Sequence, residues 1–105
     1  MGKVTNEVRL VGTVKRDSEA TELRNGVRVM DFCLVVPDAV YDHASVYVDC
    51  FAATDCVNQL DGFVTEGEAL EVEGHLTFRT MTDHKGRKKS AMVVYVDNAT
   101  EAYEE

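Results

Sequence analysis

Apolar and polar residues alternate along most of this chain, and a repeat of two residues is typical of a β-strand with one buried face. The alternation predicts a first strand over residues 8–14. Four further strands are predicted at residues 27–36, 45–53, 70–79 and 90–98. The second strand is apolar on both faces except at Arg28 and Asp31. Pro37 ends it, because proline donates no ladder hydrogen bond.

One segment, residues 54–64, has a helical pattern instead. Thr54 is a suitable N-cap, and the carboxylate of Asp55 suits the first turn of a helix. The residues predicted to share one helical face are Cys56, Leu60, Phe63 and Val64. Glu66-Gly67 then ends the helix.

Turn signals separate the predicted strands. Asn25-Gly26 is a preferred two-residue hairpin turn, residues 37–44 form a short polar loop, and residues 83–86 form a turn. Five strands with one short helix between the third and fourth give the element order of the OB-fold, a partly open five-stranded barrel. At 105 residues we expect one domain, with its core at about residues 6–99 and a short acidic end at residues 100–105.

Charge is distributed unevenly along the chain. There are 11 basic and 19 acidic residues, a formal net charge of −8. No Lys or Arg stands between Val29 and Phe78, so the basic residues lie at residues 1–28 and 79–89. Because phosphate neutralisation drives most nucleic-acid affinity, any anion-binding surface has to be built from these two parts of the chain.

The sequence shows no pattern that indicates catalysis. It contains no Gly-rich phosphate loop, no nucleophile elbow and no Cys-x-x-Cys pair, so we expect no enzyme activity, no cofactor and no metal. Three cysteines, Cys33, Cys50 and Cys56, cannot all pair within the chain. With no secretory signal and no long apolar run, we expect reduced thiols in a cytoplasmic protein that has no membrane contact.

Several short motifs together resemble one family. The opening pattern Asn-x-Val-x-Leu-x-Gly stands at residues 6–12, and the other matching positions are Asp17, Asn25-Gly26, Gly67, Glu73-Gly74 and Asp97-Asn98. In this order and spacing they resemble the bacterial single-stranded DNA-binding proteins. The resemblance covers residues 6–36 and 47–98 without gaps, and it implies the same OB-fold.

The resemblance also implies a function. In this family, single-stranded DNA wraps over the barrel, aromatic side chains stack on bases and basic residues follow the phosphates. The four stacking positions of the family fall near Val40 and on Tyr47, Ala53 and Met81. Phe51 shares the outward strand face of Tyr47 and could replace a missing aromatic residue. Asp49 lies between them and would repel phosphate.

The predicted DNA contacts therefore form two groups. Stacking is expected from Tyr47, Phe51 and Met81. Phosphate contacts are expected from Arg9, Lys15, Arg16, Arg28, Arg79, Lys85, Arg87, Lys88 and Lys89. The densest group, residues 85–89, lies at the tip of the last hairpin. The resemblance further implies a homo-oligomer, a dimer or tetramer, and no small-molecule substrate. The alternative hypothesis is an OB-fold protein-interaction module with little nucleic-acid affinity.

Overall fold

The computed structural model describes residues 4–102, so the last three residues of the predicted acidic end lie outside the described part. The elements in chain order are β1 (Val8–Val14), β2 (Thr21–Glu22), β3 (Arg28–Pro37), β4 (Ser45–Ala53), α1 (Asp55–Leu60), β5 (Ala69–Thr82) and β6 (Lys88–Glu101). The five predicted strands are all present. The helix follows the strand at 45–53, as expected. The two-residue strand β2 is an addition, and β6 continues into the predicted end.

Five of the strands close into a barrel. The sheet order is β1-β5-β6-β4-β3-β2, and β1 also pairs with β3. That closing pairing is short, with Thr13 opposite Val35 and Val14 opposite Leu34. The expectation of a partly open barrel is therefore wrong, because the end of β1 reaches β3 and completes the ring. β2 pairs with the outer edge of β3 at Thr21 opposite Val29.

The barrel interior is filled by alternating residues of each strand. The core includes Val14, Met30, Phe32, Leu34, Cys50, Ala52, Leu70, Val72, Val94 and Val96, with Cys56, Val57, Leu60 and Val64 from the helical segment. These positions are almost all aliphatic, and their burial provides most of the driving force for folding. The residues that alternate with them on the strands lie on the outer face of the barrel.

A β-bulge in β6 changes which residues face the core. Glu73 lies opposite Asn98 and Gly74 opposite Val96, so Asp97 is the extra residue between them. Val96 points inward before the bulge and Ala99 after it. Gly74 permits the close approach of the two strands. A Cβ atom there would lie only 1.8 Å from the carbonyl oxygen of Tyr95.

The hairpin of β5 and β6 extends beyond the barrel. The two strands pair from Leu70 opposite Glu101 to Thr82 opposite Lys88, whereas β4 pairs with β6 only at residues 50–51. The tip is a tight turn in which Asp83 N–H donates to the carbonyl of Arg87 and Gly86 has a φ of +80°. The Asp83 carboxylate accepts hydrogen bonds from the backbone N–H groups of Lys85 and Arg87, each at 2.9 Å.

The helix is shorter than its sequence pattern predicts. It ends at Leu60, because Asp61, with a ψ of 122°, already leaves the helical region. Asp61 and Gly62, which has a φ of +87°, then form a turn in which Phe63 N–H donates to the carbonyl of Leu60. Phe63 therefore lies in the following turn and is exposed, rather than on the buried face. Thr54 is the N-cap residue, as predicted, but its side chain forms no capping hydrogen bond. Thr54 has a φ of 56°, and its hydroxyl donates to the carbonyl of Ala53 instead of accepting from the helix.

The first predicted hairpin turn also differs from expectation. Leu23 N–H donates to the carbonyl of Val27, which encloses three loop residues, 24–26, rather than two. Only Gly26 has a positive φ, 84°, and the Asn25 side chain accepts a hydrogen bond from Val27 N–H at 3.0 Å. This is a turn followed by a left-handed glycine, the common three-residue hairpin loop.

Candidate nucleic-acid interface

Strand β4 presents Tyr47, Asp49 and Phe51 on the outer face of the barrel. The alternation of a strand places them opposite the core residues Cys50 and Ala52. The Tyr47 side chain is 61% exposed, and Phe51 is half-buried between its neighbours. Asp49 lies between the two rings, as the sequence pattern predicts.

A lysine covers the ring of Tyr47. Lys15 follows β1, and its backbone N–H donates to the carbonyl of Cys33 at 3.0 Å, which extends the closing contact between β1 and β3. Its Nζ lies 4.5 Å from the centroid of the Tyr47 ring. An ammonium group at this distance is attracted by the electron-rich ring face. Barrel closure therefore brings together a predicted phosphate contact and a predicted stacking residue.

An arginine covers the ring of Phe51 in the same way. The guanidinium carbon of Arg79, on β5, lies 4.3 Å from the centroid of the Phe51 ring. Arg79 also forms an ion pair with Asp31 on β3, which lies opposite Phe51 in the register of the sheet. The carboxylate on one side and the ring on the other hold the guanidinium plane in a fixed position.

A row of rings crosses the outer face next to this pair. Phe51 meets Tyr95 of β6 edge to face at 5.9 Å between centroids, and Tyr95 lies 5.3 Å from the ring of His75 on β5. His75 Nδ1 lies 3.0 Å from Asp97 Oδ2 at the bulge. Tyr95 is not among the predicted contacts, although it stands between the inward-facing Val94 and Val96 and therefore lies on the outer face of β6.

A groove lies beside this row. It encloses about 310 Å³, and its floor is formed by the buried residues Cys33 and Val93 together with Ala91. Its remaining lining residues include Arg16, Asp31, Asp49, Arg79 and Met81. Arg79 is held by Asp31, whereas no ion pair or hydrogen bond in residues 4–102 engages the carboxylate of Asp49. The groove combines an apolar floor with two cations and one unpaired carboxylate.

The basic tip of the β5–β6 hairpin is fully exposed. Lys88 and Lys89 lie opposite Thr82 and Met81, and Lys85 lies in the turn. These three lysines have no carboxylate partner in the described part of the chain. Arg87 differs, because its Nε lies 3.3 Å from Asp83 Oδ2 and helps to hold the turn. Three of the four predicted contacts at the tip are thus free to meet a phosphate.

Two predicted contacts lie away from the groove. Arg9 forms an ion pair with Glu71 near the start of β1, six residues or about 20 Å along the strand from Lys15. Arg28 donates to Asn58 Oδ1 at 2.6 Å and to Asp61 Oδ2 at 3.2 Å. These hydrogen bonds link β3 to the helical segment. Of the two remaining stacking positions of the family, Val40 lies in an exposed loop, and Ala53 ends β4.

The cysteines are free and buried. Burial is the main cause that raises the pKa of the Cys50 thiol to about 12, and burial also raises the pKa of the Cys56 thiol. Residues 4–102 contain no group of three His, Cys, Asp or Glu side chains that could hold a metal ion. No helix in that range is long and apolar enough to cross a membrane.

A barrel of five strands with one helix between β4 and β5 has the architecture of the OB-fold. The family model described as the single-strand binding protein family matches residues 5–101, and the chain belongs to this family. The resemblance found in the sequence motifs is therefore confirmed.

A curated relative is the single-stranded DNA-binding protein of Borreliella burgdorferi. It is 27% identical to this chain over 100 residues, and the alignment covers 89% of this chain and 66% of the relative. The chain therefore spans somewhat less than two thirds of the length of that relative.

Proposed function

We propose that this protein binds single-stranded DNA across the outer face of its barrel and performs no chemistry. The observation that carries the proposal is the pair of cation-covered rings on β4, Tyr47 with Lys15 and Phe51 with Arg79. At Tyr47, a base can take the place of Lys15 on the exposed ring while the ammonium group moves to the adjoining phosphate. At Phe51, the guanidinium plane of Arg79 over the ring can itself stack on a base. Family membership supports the same function.

The proposed path of the strand follows the positive charge. It runs from the exposed lysines at the tip of the β5–β6 hairpin, along the groove edge at Arg79, and past Phe51 and Tyr47 to Lys15. Met81 lies on this path at the groove edge, opposite Lys89. Arg16 also lines the groove, and we assign it a contact with a phosphate at the groove edge. Arg9 and Arg28 lie off this path, and we assign them structural ion pairs instead.

Binding is expected to be weak and strongly dependent on salt. Two aromatic residues of β4 are available, and stacking contributes roughly 1–3 kcal/mol per base. The rest of the affinity has to come from phosphate contacts, which salt weakens. A net charge of −8 adds general repulsion of DNA. Family membership does not favour the alternative of a protein-interaction module that has little nucleic-acid affinity.

We further propose that the protein acts as a homo-oligomer in the cytoplasm, in replication, recombination or repair of DNA. Barrel closure removes most free sheet edges, so an edge-to-edge contact is not the main support for self-association. The support is an apolar surface on the β5–β6 hairpin, where Phe78 is 68% exposed beside Leu76 and Met92. Exposed apolar surface of this kind is typical of interfaces.

The direct test is a titration of a fluorescently labelled deoxythymidine oligonucleotide in two salt concentrations. At about 50 mM salt, where phosphate contacts are strongest, we expect binding at micromolar protein, and binding should weaken steeply when the salt is raised. A double-stranded oligonucleotide of the same length is the control and should bind more weakly. No binding of the single strand at tens of micromolar protein would refute the proposed function.

A further inference from the structure

The groove on the outer face has the chemistry of a site for one nucleobase. Its volume of about 310 Å³ is at the small end of the range of about 300–1,000 Å³ that is typical of ligand pockets. The floor of Cys33, Ala91 and Val93 offers apolar contact to a flat ring. Arg16 and Arg79 lie among the lining residues, where they can meet the phosphates on either side of a bound base.

The groove gives a phosphate little net attraction as its occupant, because its two carboxylates oppose its two guanidinium groups. Asp31 and Asp49 would both repel a phosphate, and only Asp31 is neutralised by an arginine. A base carries no charge, so it avoids this repulsion. The unpaired carboxylate of Asp49 can only accept hydrogen bonds, because an ionised carboxylate has no proton to donate. The preferred occupant therefore presents an N–H group to Asp49.

An exocyclic amine distinguishes the bases in this respect. Cytosine carries an amine at its position 4, which pairs with carboxylate side chains, whereas thymine and uracil carry a carbonyl oxygen there. Thymine and uracil also carry an N–H group, at ring position 3, but it lies between two carbonyl oxygens. Those oxygens would face the carboxylate oxygens of Asp49 and be repelled. We infer that the groove is a nucleobase subsite in which Asp49 favours amine-bearing bases, such as cytosine, over thymine and uracil. This inference rests on the proposed single-stranded DNA binding and adds base selectivity to it.

The experiment compares oligonucleotides of deoxycytidine, deoxyuridine and deoxythymidine. Each has about 15 nucleotides, within the site sizes of about 4–16 known for OB-folds. Cytosine and uracil differ at the amine position and its ring neighbour alone, and uracil and thymine differ by one methyl group. At neutral pH and low salt, the cytosine strand should bind about 5-fold more tightly than the uracil strand, equivalent to roughly 1 kcal/mol.

Two variants separate hydrogen bonding from net charge. Asp49→Asn should bring the affinity ratio of cytosine to uracil strands close to one, because an amide can accept from an amine and donate to a carbonyl. Asp42→Asn removes the same charge from the exposed loop between β3 and β4, outside the groove. It should leave the wild-type ratio unchanged, even where it tightens the binding of all strands.

The outcomes also separate this inference from the function on which it rests. Binding of all three strands with equal affinity overturns the base subsite and leaves single-stranded DNA binding intact. The same conclusion follows if Asp49→Asn preserves the ratio of the wild-type protein. No binding of any strand overturns both. A ratio that is lost in Asp49→Asn and kept in Asp42→Asn supports the subsite.

Discussion

At the scale of residues, two single substitutions separate base stacking from phosphate contact on the outer face of β4. Tyr47→Ala removes a stacking surface and should lower the affinity for a deoxythymidine strand by roughly 1–3 kcal/mol. Stacking releases no counterions, so the slope of log K against log salt should stay nearly constant. Lys15→Ala should instead flatten that slope by about 0.7, the value for one phosphate contact on a single strand. Both quantities come from titrations at several salt concentrations.

Phe63 provides a matched control for this comparison. It is also an exposed aromatic residue, but it lies in the turn that follows α1, away from the proposed path. Phe63→Ala should leave both affinity and slope unchanged. If Tyr47→Ala also has no effect, the outer face of β4 does not carry the DNA, and the protein-interaction hypothesis becomes the better one.

Gly74 is the residue at which a single methyl group should disturb the fold most. Its Cβ would lie 1.8 Å from the carbonyl oxygen of Tyr95, and this atom belongs to the backbone and cannot rotate away. Gly74→Ala should therefore lower the free energy of unfolding by about 3 kcal/mol or more, at or above the upper end of the usual cost of overpacking. Gly86→Ala, with a φ of +80° and open space around it, should cost about 1–2 kcal/mol. Chemical denaturation measures both, and equal losses of stability would contradict the close approach at the bulge.

At the scale of elements, the basic tip of the β5–β6 hairpin should supply phosphate contacts to the DNA. Changing Lys85, Lys88 and Lys89 together to alanine should lower DNA affinity and reduce the salt slope by about 0.7 for each phosphate that these lysines neutralise. Arg87 is left in place because it holds Asp83 and the turn. Fluorescence titration across a range of salt concentrations gives the slope.

Arg24, in the hairpin loop between β2 and β3, provides a control for the triple lysine variant. Arg24 is exposed in the loop that precedes Gly26, and Arg24→Ala removes a positive charge from a different tip. It should change the slope by less than any one of the three lysines. An unchanged slope in the triple lysine variant would show that the tip is only a solvated turn, and the strand would then have to pass Lys15 and Arg16 alone.

At the scale of the whole molecule, the exposed apolar side chains of the hairpin predict self-association. The chain has a mass of 11.7 kDa, and light scattering should give a multiple of that value at micromolar concentration. Phe78→Ser with Met92→Ser should shift the mass toward the monomer, because it removes apolar surface that a partner copy would cover. Val40→Ser, in an exposed loop, is the control and should not. A monomer mass for the unaltered protein over a wide concentration range would refute the homo-oligomer.

The sequence by itself determined the strands and their inward faces. A period of two residues is a local property, because successive side chains of a strand point to opposite sides whatever the rest of the chain does. The outward positions of Tyr47, Asp49 and Phe51 follow from the same rule. Two local predictions were wrong. The apolar pattern at residues 54–64 predicted a longer helix than the one that ends before Gly62, and Asn25-Gly26 predicted a two-residue turn where only Gly26 has a positive φ.

Only the tertiary structure decided which of these residues meet. Lys15 covers Tyr47 because β1 closes onto β3. Arg79 reaches Asp31 on β3 and Phe51 on β4, although neither strand pairs with its own strand, β5. The bulge at Asp97 sets the inward residues of the last strand. These pairs join residues far apart in the chain, and their geometry depends on strand register and barrel closure, which no local pattern of apolar and polar residues encodes.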